Sequence, residues 1–296
     1  MRCTSGSEAE ADLLCSLCGS ADIGEMSSQG GFPLKKCSKC GLQFLHPQPD
    51  TEELRSIYSD YYRSWDIDAS GDEVSRMKMR TFRGYLEAVK QYVPSGHLLD
   101  VGCATGELLS VASEMGYYVH GIEISPKGVA RCRIKFGEER ITSKPLVRGD
   151  FPDESFDLVT MCDVLEHLET PVEFLDTVEK LLKPGGILLI ATPDTYSWSC
   201  RLMKSSWPHY KKEHLYYFNR SNMLRLLPPG LVIKRLSVAR KCLTLRYCLS
   251  ILDADNSSVL LTRLSGLLRF LPGFLQVMPV RVAFGEMLVL VRKERV

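Results

Sequence analysis

Apolar and polar residues alternate along the middle of the chain in a pattern that predicts strands and helices in turn. Residues 97–101 and 117–122 are short apolar runs typical of buried strands, and residues 107–115 between them have helical spacing. The same alternation predicts helices at 126–136 and 171–182 and strands at 146–148, 156–161 and 187–191. Strands alternating with helices indicate a doubly wound α/β domain whose mainly parallel sheet binds ligands at the carboxyl ends of its strands.

The two ends of the chain depart from this alternation. Residues 12–47 are rich in Cys, Gly and Ser without helical periodicity, which predicts a small module that needs a cross-link to fold. We therefore divide the chain into an N-terminal segment (1–11), this module (12–47), a helical linker (48–93) and a main domain (94–296). The main domain contains an apolar insertion at about 240–280. Within the linker, helical spacing occurs at 50–65 and 72–93; strands are expected at 231–238 and near 286–291.

Composition narrows the classes of function. The 296 residues are 45% hydrophobic and 25% charged, which excludes disorder as the main state. Because 37 Lys and Arg face 36 Asp and Glu, no overall basic field favours nucleic acid as a partner. The first twelve residues lack the apolar core of a secretion signal, so we expect a cytoplasmic protein whose cysteines stay reduced.

Four cysteines have the spacing of a metal site. Cys15 and Cys18 form one Cys-x-x-Cys pair, Cys37 and Cys40 form a second, and a glycine follows each pair. Paired turns of this kind bring four thiolates around one Zn²⁺, with no position left for water, so the predicted site is structural. Metal-free thiols and a redox pair are the alternatives.

A turn of small residues follows the first predicted strand of the main domain. Residues 101–106 bring backbone N–H groups and the start of a helix toward a ligand. The glycine register of nicotinamide and flavin sites is not kept, because Ala104 and Glu107 occupy its third and sixth positions. Asp100, directly before the turn, suits a cationic ligand group better than a pyrophosphate.

Acidic and apolar residues follow the next two predicted strands. Glu123 ends the second strand, where a carboxylate can accept hydrogen bonds from both hydroxyls of a ribose. Asp150 follows the third predicted strand and can accept from an adenine amino group, while Ile124 and Phe151 can enclose the ring. Each residue alone also fits a solvated loop or ordinary packing; their order at successive strand ends favours a nucleoside ligand.

Four segments resemble the successive motifs of class I S-adenosylmethionine-dependent methyltransferases. These segments lie at residues 98–106, 121–126, 156–168 and 182–190, and the resemblance covers about residues 80–240. It implies a Rossmann-like sheet of seven strands, the last antiparallel, and methyl transfer from S-adenosylmethionine to a small molecule. In-line displacement requires an acceptor held close to the methyl group and, for a hydroxyl, loss of a proton.

The resemblance also implies roles for individual residues. Asp100, Gly102 and Gly106 would hold the methionine part of the donor, and Ala104 stands in the same loop where the family usually has glycine. The ribose would lie on Glu123 and the adenine on Asp150 and Phe151. Cys162 and Asp163 would line the floor near the sulfonium.

The acceptor is suggested by a second resemblance. The four cysteines, followed by the segments at 45–47 and 57–62, are similar to a bacterial subgroup that includes sugar C-methyltransferases. Related enzymes carry a Glu-His pair where this chain has Glu213 and His214, so His214 is a possible general base beside Glu213. An equally supported interpretation is that His214 only anchors its loop. A sugar is therefore the first expectation, a lipid or quinone the second, and a non-catalytic scaffold that binds a partner through the ribbon the third.

Residues 259–280 are unusually apolar but are interrupted by arginines and prolines, so they do not predict a transmembrane helix. Four readings stay open for this segment: a helix at a membrane surface, a lid, a contact between two copies of the chain, and a core helix.

Overall fold

A computed structural model describes residues 13–26, 33–50, 52–54, 71–254 and 271–295. The strands are β1 (Ile23–Glu25), β2 (Leu34–Cys37), β3 (Gln43–Leu45), β4 (Gly96–Val101), β5 (Tyr117–Ile122), β6 (Ile141–Thr142), β7 (Phe156–Cys162), β8 (Leu182–Pro193), β9 (Tyr216–Tyr217), β10 (Leu231–Val238), β11 (Lys241–Thr244), β12 (Pro279–Val282) and β13 (Glu286–Lys293). The helices are α1 (Gly71–Lys90), α2 (Glu107–Glu114), α3 (Pro126–Phe136), α4 (Pro171–Leu181), α5 (Trp198–Met203), α6 (Arg220–Leu226), α7 (Leu245–Ala254) and α8 (Gly273–Gln276).

The main domain is built on a seven-stranded sheet in the order β10-β13-β8-β7-β4-β5-β6. Strands β4 to β8 pair in parallel, and β13 runs antiparallel between β8 and β10. The predicted α/β class and the seven-stranded sheet with one antiparallel strand are thus confirmed. Because β13 is reversed, its first residue lies at the same edge as the carboxyl ends of the parallel strands.

Both faces of this sheet are covered. The neighbouring residues Leu98 and Leu99 are fully buried but belong to two different core clusters, as expected when successive side chains of a strand point to opposite faces. Strand β8 is buried along almost all of its length from residue 186 onward. A strand buried on both sides reads as a continuous apolar run, which explains why residues 187–191 were recognisable as a strand.

The predicted strand at residues 146–148 is wrong. The strand that pairs with β5 is β6, which lies earlier, at residues 141–142. Residues 146–150 form a turn instead, in which the Asp150 carboxylate accepts a hydrogen bond from the Val147 amide. Leu146 is buried but Val147 is 55% exposed. The side chains of this short apolar run are therefore not buried on two opposite faces, as those of a strand inside the sheet would be.

The cysteine-rich module shares a sheet with the main domain. Strands β1, β2 and β3 form an antiparallel ribbon, and β3 continues into an antiparallel pairing with β9. Part of the predicted helix at 50–65, and residues 259–270 of the apolar segment, lie outside the described residues. Among the helices that the structure describes, none combines the length and apolar character needed to cross a bilayer.

Candidate active site

The turn between β4 and α2 is held in a conformation that requires its glycines. Gly102, Ala104 and Gly106 all have positive φ, at 74°, 47° and 81°. A Cβ on Gly102 would lie 2.6 Å from a methyl of Val164, so a side chain at this position meets both strain and a clash. The amides of Gly102 and Cys103 donate to the Ile122 carbonyl at 2.8 and 3.0 Å, which ties the turn to the end of β5.

Asp100 and Glu123 lie at the ends of the adjacent strands β4 and β5, and both are buried. The Asp100 carboxylate accepts a hydrogen bond from the Thr160 hydroxyl at 2.6 Å, yet burial outweighs this bond and raises the pKa of Asp100 to about 7. Glu123 accepts from the Ala104 amide and the Ser125 amide, both at 2.7 Å. Glu123 therefore joins the glycine turn to the start of the following helix.

Ile124 follows the end of β5, whereas Asp150 and Phe151 lie in the segment between β6 and β7. Ile124 is 49% exposed, an unusual position for a large apolar residue directly after a buried strand. The Phe151 ring contacts the edge of Phe156 at 5.2 Å between centroids. Lys144 donates to the Asp150 carboxylate and lowers the pKa of Asp150, which keeps the group charged. Ile124 and Phe151 thus provide apolar surface in this part of the carboxyl edge, and Asp150 provides a carboxylate.

Cys162 is the last residue of β7, and Asp163 follows it at the carboxyl edge of the sheet. Asp163 has a positive φ of 56°, which is uncommon outside glycine and recurs at functional sites. Its carboxylate pairs with Lys241 at 3.2 Å, and the same ammonium lies 2.6 Å from Glu286. Sequence reasoning missed Lys241 and Glu286. The position of Glu286 follows from the reversed β13, whereas no sequence signal marked Lys241.

His214 lies in a second, buried cluster with Glu166 and His167. The rings of His214 and His167 meet edge to face at 4.7 Å, and His167 Nδ1 donates to the backbone carbonyl of Glu213 at 2.9 Å. Burial lowers the pKa of both imidazoles, that of His167 to about 4, so both are neutral at pH 7. No hydrogen bond joins the side chains of Glu213 and His214 in the described part of the chain. Glu213 thus contacts this cluster through its main-chain oxygen, and His214 contacts it through its ring.

This cluster leaves two buried polar atoms without a hydrogen-bond partner among the described residues. They are Glu166 Oε1 and His214 Nδ1; Glu166 Oε2 accepts from the Thr192 hydroxyl at 2.9 Å. Burial raises the pKa of Glu166 to about 8. One ligand atom from each of Glu166, His167 and His214 lies within 4.8 Å of the others, and two neutral imidazoles with a carboxylate form a set that divalent cations accept.

The four cysteines come together as their spacing predicted. Cys15 Sγ and Cys40 Sγ are 3.6 Å apart, as are Cys18 Sγ and Cys37 Sγ, and all four sulfurs lie within 4.8 Å of one another. Zn–S bonds of about 2.3 Å in a tetrahedron place sulfur atoms about 3.8 Å apart, so this donor set fits Zn²⁺.

Three contacts connect the module to the segment that carries His214. The Leu45 amide donates to the Leu215 carbonyl at 3.0 Å, and the Tyr210 hydroxyl donates to Gln43 Oε1 at 2.8 Å. The third contact is a hydrogen bond of 3.1 Å, which the side-chain amide of Asn219 donates to a backbone carbonyl of the module. The module therefore supports one side of the carboxyl edge directly, which the sequence did not indicate.

Comparisons with known proteins agree with this geometry. Residues 75–228, just over half of the chain, match a family model described as a methyltransferase domain. A ubiquinone biosynthesis O-methyltransferase of Caulobacter vibrioides is 36% identical over 103 residues, or 32% of this chain and 40% of that protein. One of Xanthomonas campestris pv. campestris is 29% identical over 166 residues, or 50% of this chain and 68% of that protein. The chain thus spans less than half the length of the Caulobacter relative.

One solved structure resembles the chain along most of its length. It is the 1,6-didemethyltoxoflavin-N1-methyltransferase of Burkholderia thailandensis with bound 1,6-didemethyltoxoflavin and S-adenosylhomocysteine. The TM-score is 0.53 at 14% identity, and the alignment covers 92% of this chain and 99% of that chain. At this identity the likeness shows the fold alone.

Proposed function

The chain belongs to the methyltransferase domain family, and on that premise we propose that it transfers a methyl group from S-adenosylmethionine to a small-molecule acceptor. The observation that carries this proposal is a row of carboxylates beside a turn that needs its glycines. Asp100 and Glu123 are buried at the ends of the adjacent strands β4 and β5, and Asp150 lies in the turn after β6. A ligand with a cationic end, a ribose and a base matches such a row in order.

The donor contributes an electrophilic methyl group on a positively charged sulfonium, so the protein has to bind and orient it. We assign Asp100 to its amino group, Glu123 to its ribose hydroxyls and Asp150 to its adenine. Ile124 and Phe151 supply apolar surface for the ring. These assignments are supported by the buried carboxylates and by the unusual exposure of Ile124.

For the acceptor we favour the aromatic hydroxyl of a quinone-like ring over a sugar. Both curated relatives reported above are named ubiquinone biosynthesis O-methyltransferases. The sugar expectation combined the cysteine module and the linker with the Glu213–His214 segment. His214 is buried against His167 with no side-chain bond to Glu213 among the described residues. A role for His214 in proton transfer stays a prediction.

We also propose that Cys15, Cys18, Cys37 and Cys40 bind one structural Zn²⁺. The support is the close approach of all four sulfurs in a module whose own strands are only three or four residues long. Ribbons this small rarely fold without a metal or disulfides. A membrane or homodimer contact through residues 259–280, and a cytoplasmic location, stay predictions.

The acceptor class is tested by methyl transfer from labelled S-adenosylmethionine to two substrates, a prenylated catechol and a mixture of nucleotide sugars. We expect label in the organic extract with the catechol and none in the nucleotide sugars. Label in the sugars alone would reverse the preference. Label in neither, despite binding of S-adenosylhomocysteine, would favour the scaffold reading.

A further inference from the structure

Three charged residues at the carboxyl edge, Lys241, Asp163 and Glu286, form a connected group. The Lys241 ammonium lies 2.6 Å from Glu286 Oε1 and 3.2 Å from Asp163 Oδ2. The Glu286 side chain is 5% exposed, whereas those of Lys241 and Asp163 are 38% and 47% exposed. This group, called the Lys241 group below, therefore extends from the interior to solvent.

The Lys241 ammonium has capacity for one more partner. It carries three N–H donors, and two of them face the carboxylates of Asp163 and Glu286. Although burial alone would lower the pKa of Lys241, the two carboxylates outweigh it and raise that pKa well above its usual value. The ammonium is thus charged at neutral pH, fixed in place by two ion pairs, and partly exposed to solvent.

The position of the Lys241 group relates it to the donor site. Asp100 is paired with Thr160 across the sheet, and Asp163 follows three residues later on the Thr160 strand. At the rise of a β-strand, Asp163 lies about 10 Å beyond Asp100 on the open side of the edge. Lys241 pairs with Asp163 and therefore lies at the same edge of the sheet as Asp100, which we assign to the amino group of the donor.

A second donor lies near the Lys241 group. The Cys242 amide of β11 donates to the Thr81 hydroxyl of α1 at 2.7 Å, and Tyr85 lies one helical turn beyond Thr81 on the same face. The Tyr85 hydroxyl of α1 is buried and has no hydrogen-bond partner among the described residues. Burial raises the pKa of Tyr85, and the charges of Glu286 and Lys241 both act on it. A protonated hydroxyl without a partner beside a fixed ammonium is suited to an oxygen that accepts two hydrogen bonds.

We propose that Lys241 binds the reacting oxygen of the acceptor as an oxyanion, with Asp163 and Glu286 as positioning residues for its ammonium. The inference rests on the proposed methyl transfer and defines its acceptor class. A phenol ionises near pH 10, within reach of a neighbouring ammonium, whereas an alcohol ionises several pH units higher, as water does. The site thus selects a phenol, catechol or enol and disfavours a sugar hydroxyl.

The chemical step balances without a protein base. On binding, the acceptor hydroxyl releases its proton to solvent and its oxygen pairs with Lys241. That oxygen then attacks the methyl carbon; the O–C bond forms, the C–S bond breaks, and the electron pair of the broken bond stays on sulfur. The positive sulfonium becomes a neutral thioether, and Lys241 keeps all its protons throughout.

The test uses 4-nitrocatechol, whose visible absorbance reports its ionisation, bound to the full chain saturated with S-adenosylhomocysteine. We expect the bound probe to ionise at least one pH unit below the free probe. In Lys241→Met this difference should disappear and the affinity for the probe should fall at least tenfold, while Lys241→Arg should retain most of both. Lys234→Met, a change at an exposed lysine of β10, is the matched control and should behave as wild type.

Lys241→Met leaves the buried Glu286 without its partner, which can destabilise the fold. The double variant Lys241→Met/Glu286→Gln removes both charges and should give the same loss as Lys241→Met. An unchanged titration of the probe in this variant would overturn the proposal, as would binding of the neutral probe by wild type. No binding of the probe alongside normal binding of S-adenosylhomocysteine would overturn the Lys241 proposal alone; failure of both would overturn the proposed function as well.

Discussion

The donor half and the acceptor half of the carboxyl edge are assembled in different ways. The donor half comes from one continuous stretch, residues 96–151, in which the ends of β4 and β5 and the segment after β6 each supply one carboxylate. The acceptor half combines distant parts of the chain, including Tyr85, Asp163, Lys241 and Glu286. A site formed by consecutive strand ends suits a donor that related enzymes have in common. A site assembled from separate segments can change its specificity when one of those segments changes.

The two halves also differ in how their polar groups are satisfied. Each donor-half carboxylate is held by the protein itself, as when Glu123 accepts from two backbone amides. On the acceptor side, Tyr85 Oη, Glu166 Oε1 and His214 Nδ1 are buried without a hydrogen-bond partner among the described residues. Unmatched buried polar atoms are costly and mark places where a ligand or ion completes the bonding.

The largest effect should come from removing the metal site, which adjoins the acceptor half only. In Cys37→Ser we expect loss of the bound zinc and a fall in the free energy of unfolding of about 4 kcal/mol or more. Because β3 pairs with β9, amide exchange should accelerate across residues 210–219. Elemental analysis, urea unfolding and hydrogen exchange measure these changes. The affinity for S-adenosylhomocysteine should stay within about threefold of wild type, because no hydrogen bond or ion pair among the described residues joins the four cysteines to residues 96–151.

Cys248→Ser changes a cysteine outside the module and is the matched control for zinc content. If Cys37→Ser kept its zinc, the structural site would be contradicted. If it lost the donor affinity to the same extent as the stability, the two halves would not be separable.

A smaller effect, on the donor half alone, is expected from Gly102→Ala. A left-handed backbone costs a non-glycine residue about 1–2 kcal/mol, and the new methyl would also displace Val164. We expect the affinity for S-adenosylhomocysteine to fall about 30-fold in calorimetry, since each 1.4 kcal/mol changes a binding constant tenfold. Gly116→Ala has a similar φ, with no atom within 4 Å of the new Cβ, and should bind normally. Equal losses in the two variants would assign the effect to general destabilisation.

The smallest effect concerns the ionisation of Asp100. Its pKa in the folded chain, about 7, lies above its usual value, so the folded state binds the proton more tightly and loses stability as pH rises from about 4 to 7. The cationic amino group of the donor prefers the carboxylate, so affinity for S-adenosylhomocysteine should increase between pH 6 and 7, by about tenfold at most. Asp100→Asn should abolish this pH dependence, and Asp153→Asn, at an exposed acid, should preserve it. An unchanged profile in Asp100→Asn would remove Asp100 from the amino-group role.

The sequence was informative where chemistry and chain order coincide. The alternation of strands and helices predicted the sheet, and the spacing of Cys15, Cys18, Cys37 and Cys40 predicted their meeting because two Cys-x-x-Cys turns have few other uses. The strand expected at 146–148 failed, since three apolar residues carry too little periodicity to separate a strand from a turn closed by Asp150.

The acceptor half was largely beyond sequence reasoning, because long-range pairing creates it. Lys241 is one of many lysines until β11 is placed beside α1 and β13. The motif Glu213-His214 suggested a side-chain pair, whereas the fold turns His214 inward to Glu166 and His167. Two residues that are adjacent in sequence need not have adjacent side chains in a site when they belong to an irregular segment.

The central claim, that the acids at the strand ends bind S-adenosylmethionine, is tested most directly by calorimetric titration with S-adenosylhomocysteine. We predict one site per chain in wild type, a loss of affinity of at least tenfold in both Glu123→Gln and Glu123→Ala through weakened charge-assisted hydrogen bonds, and unchanged binding in the exposed control Glu138→Ala. No binding by the wild-type protein at millimolar ligand, or equal binding by Glu123→Ala, would contradict the account.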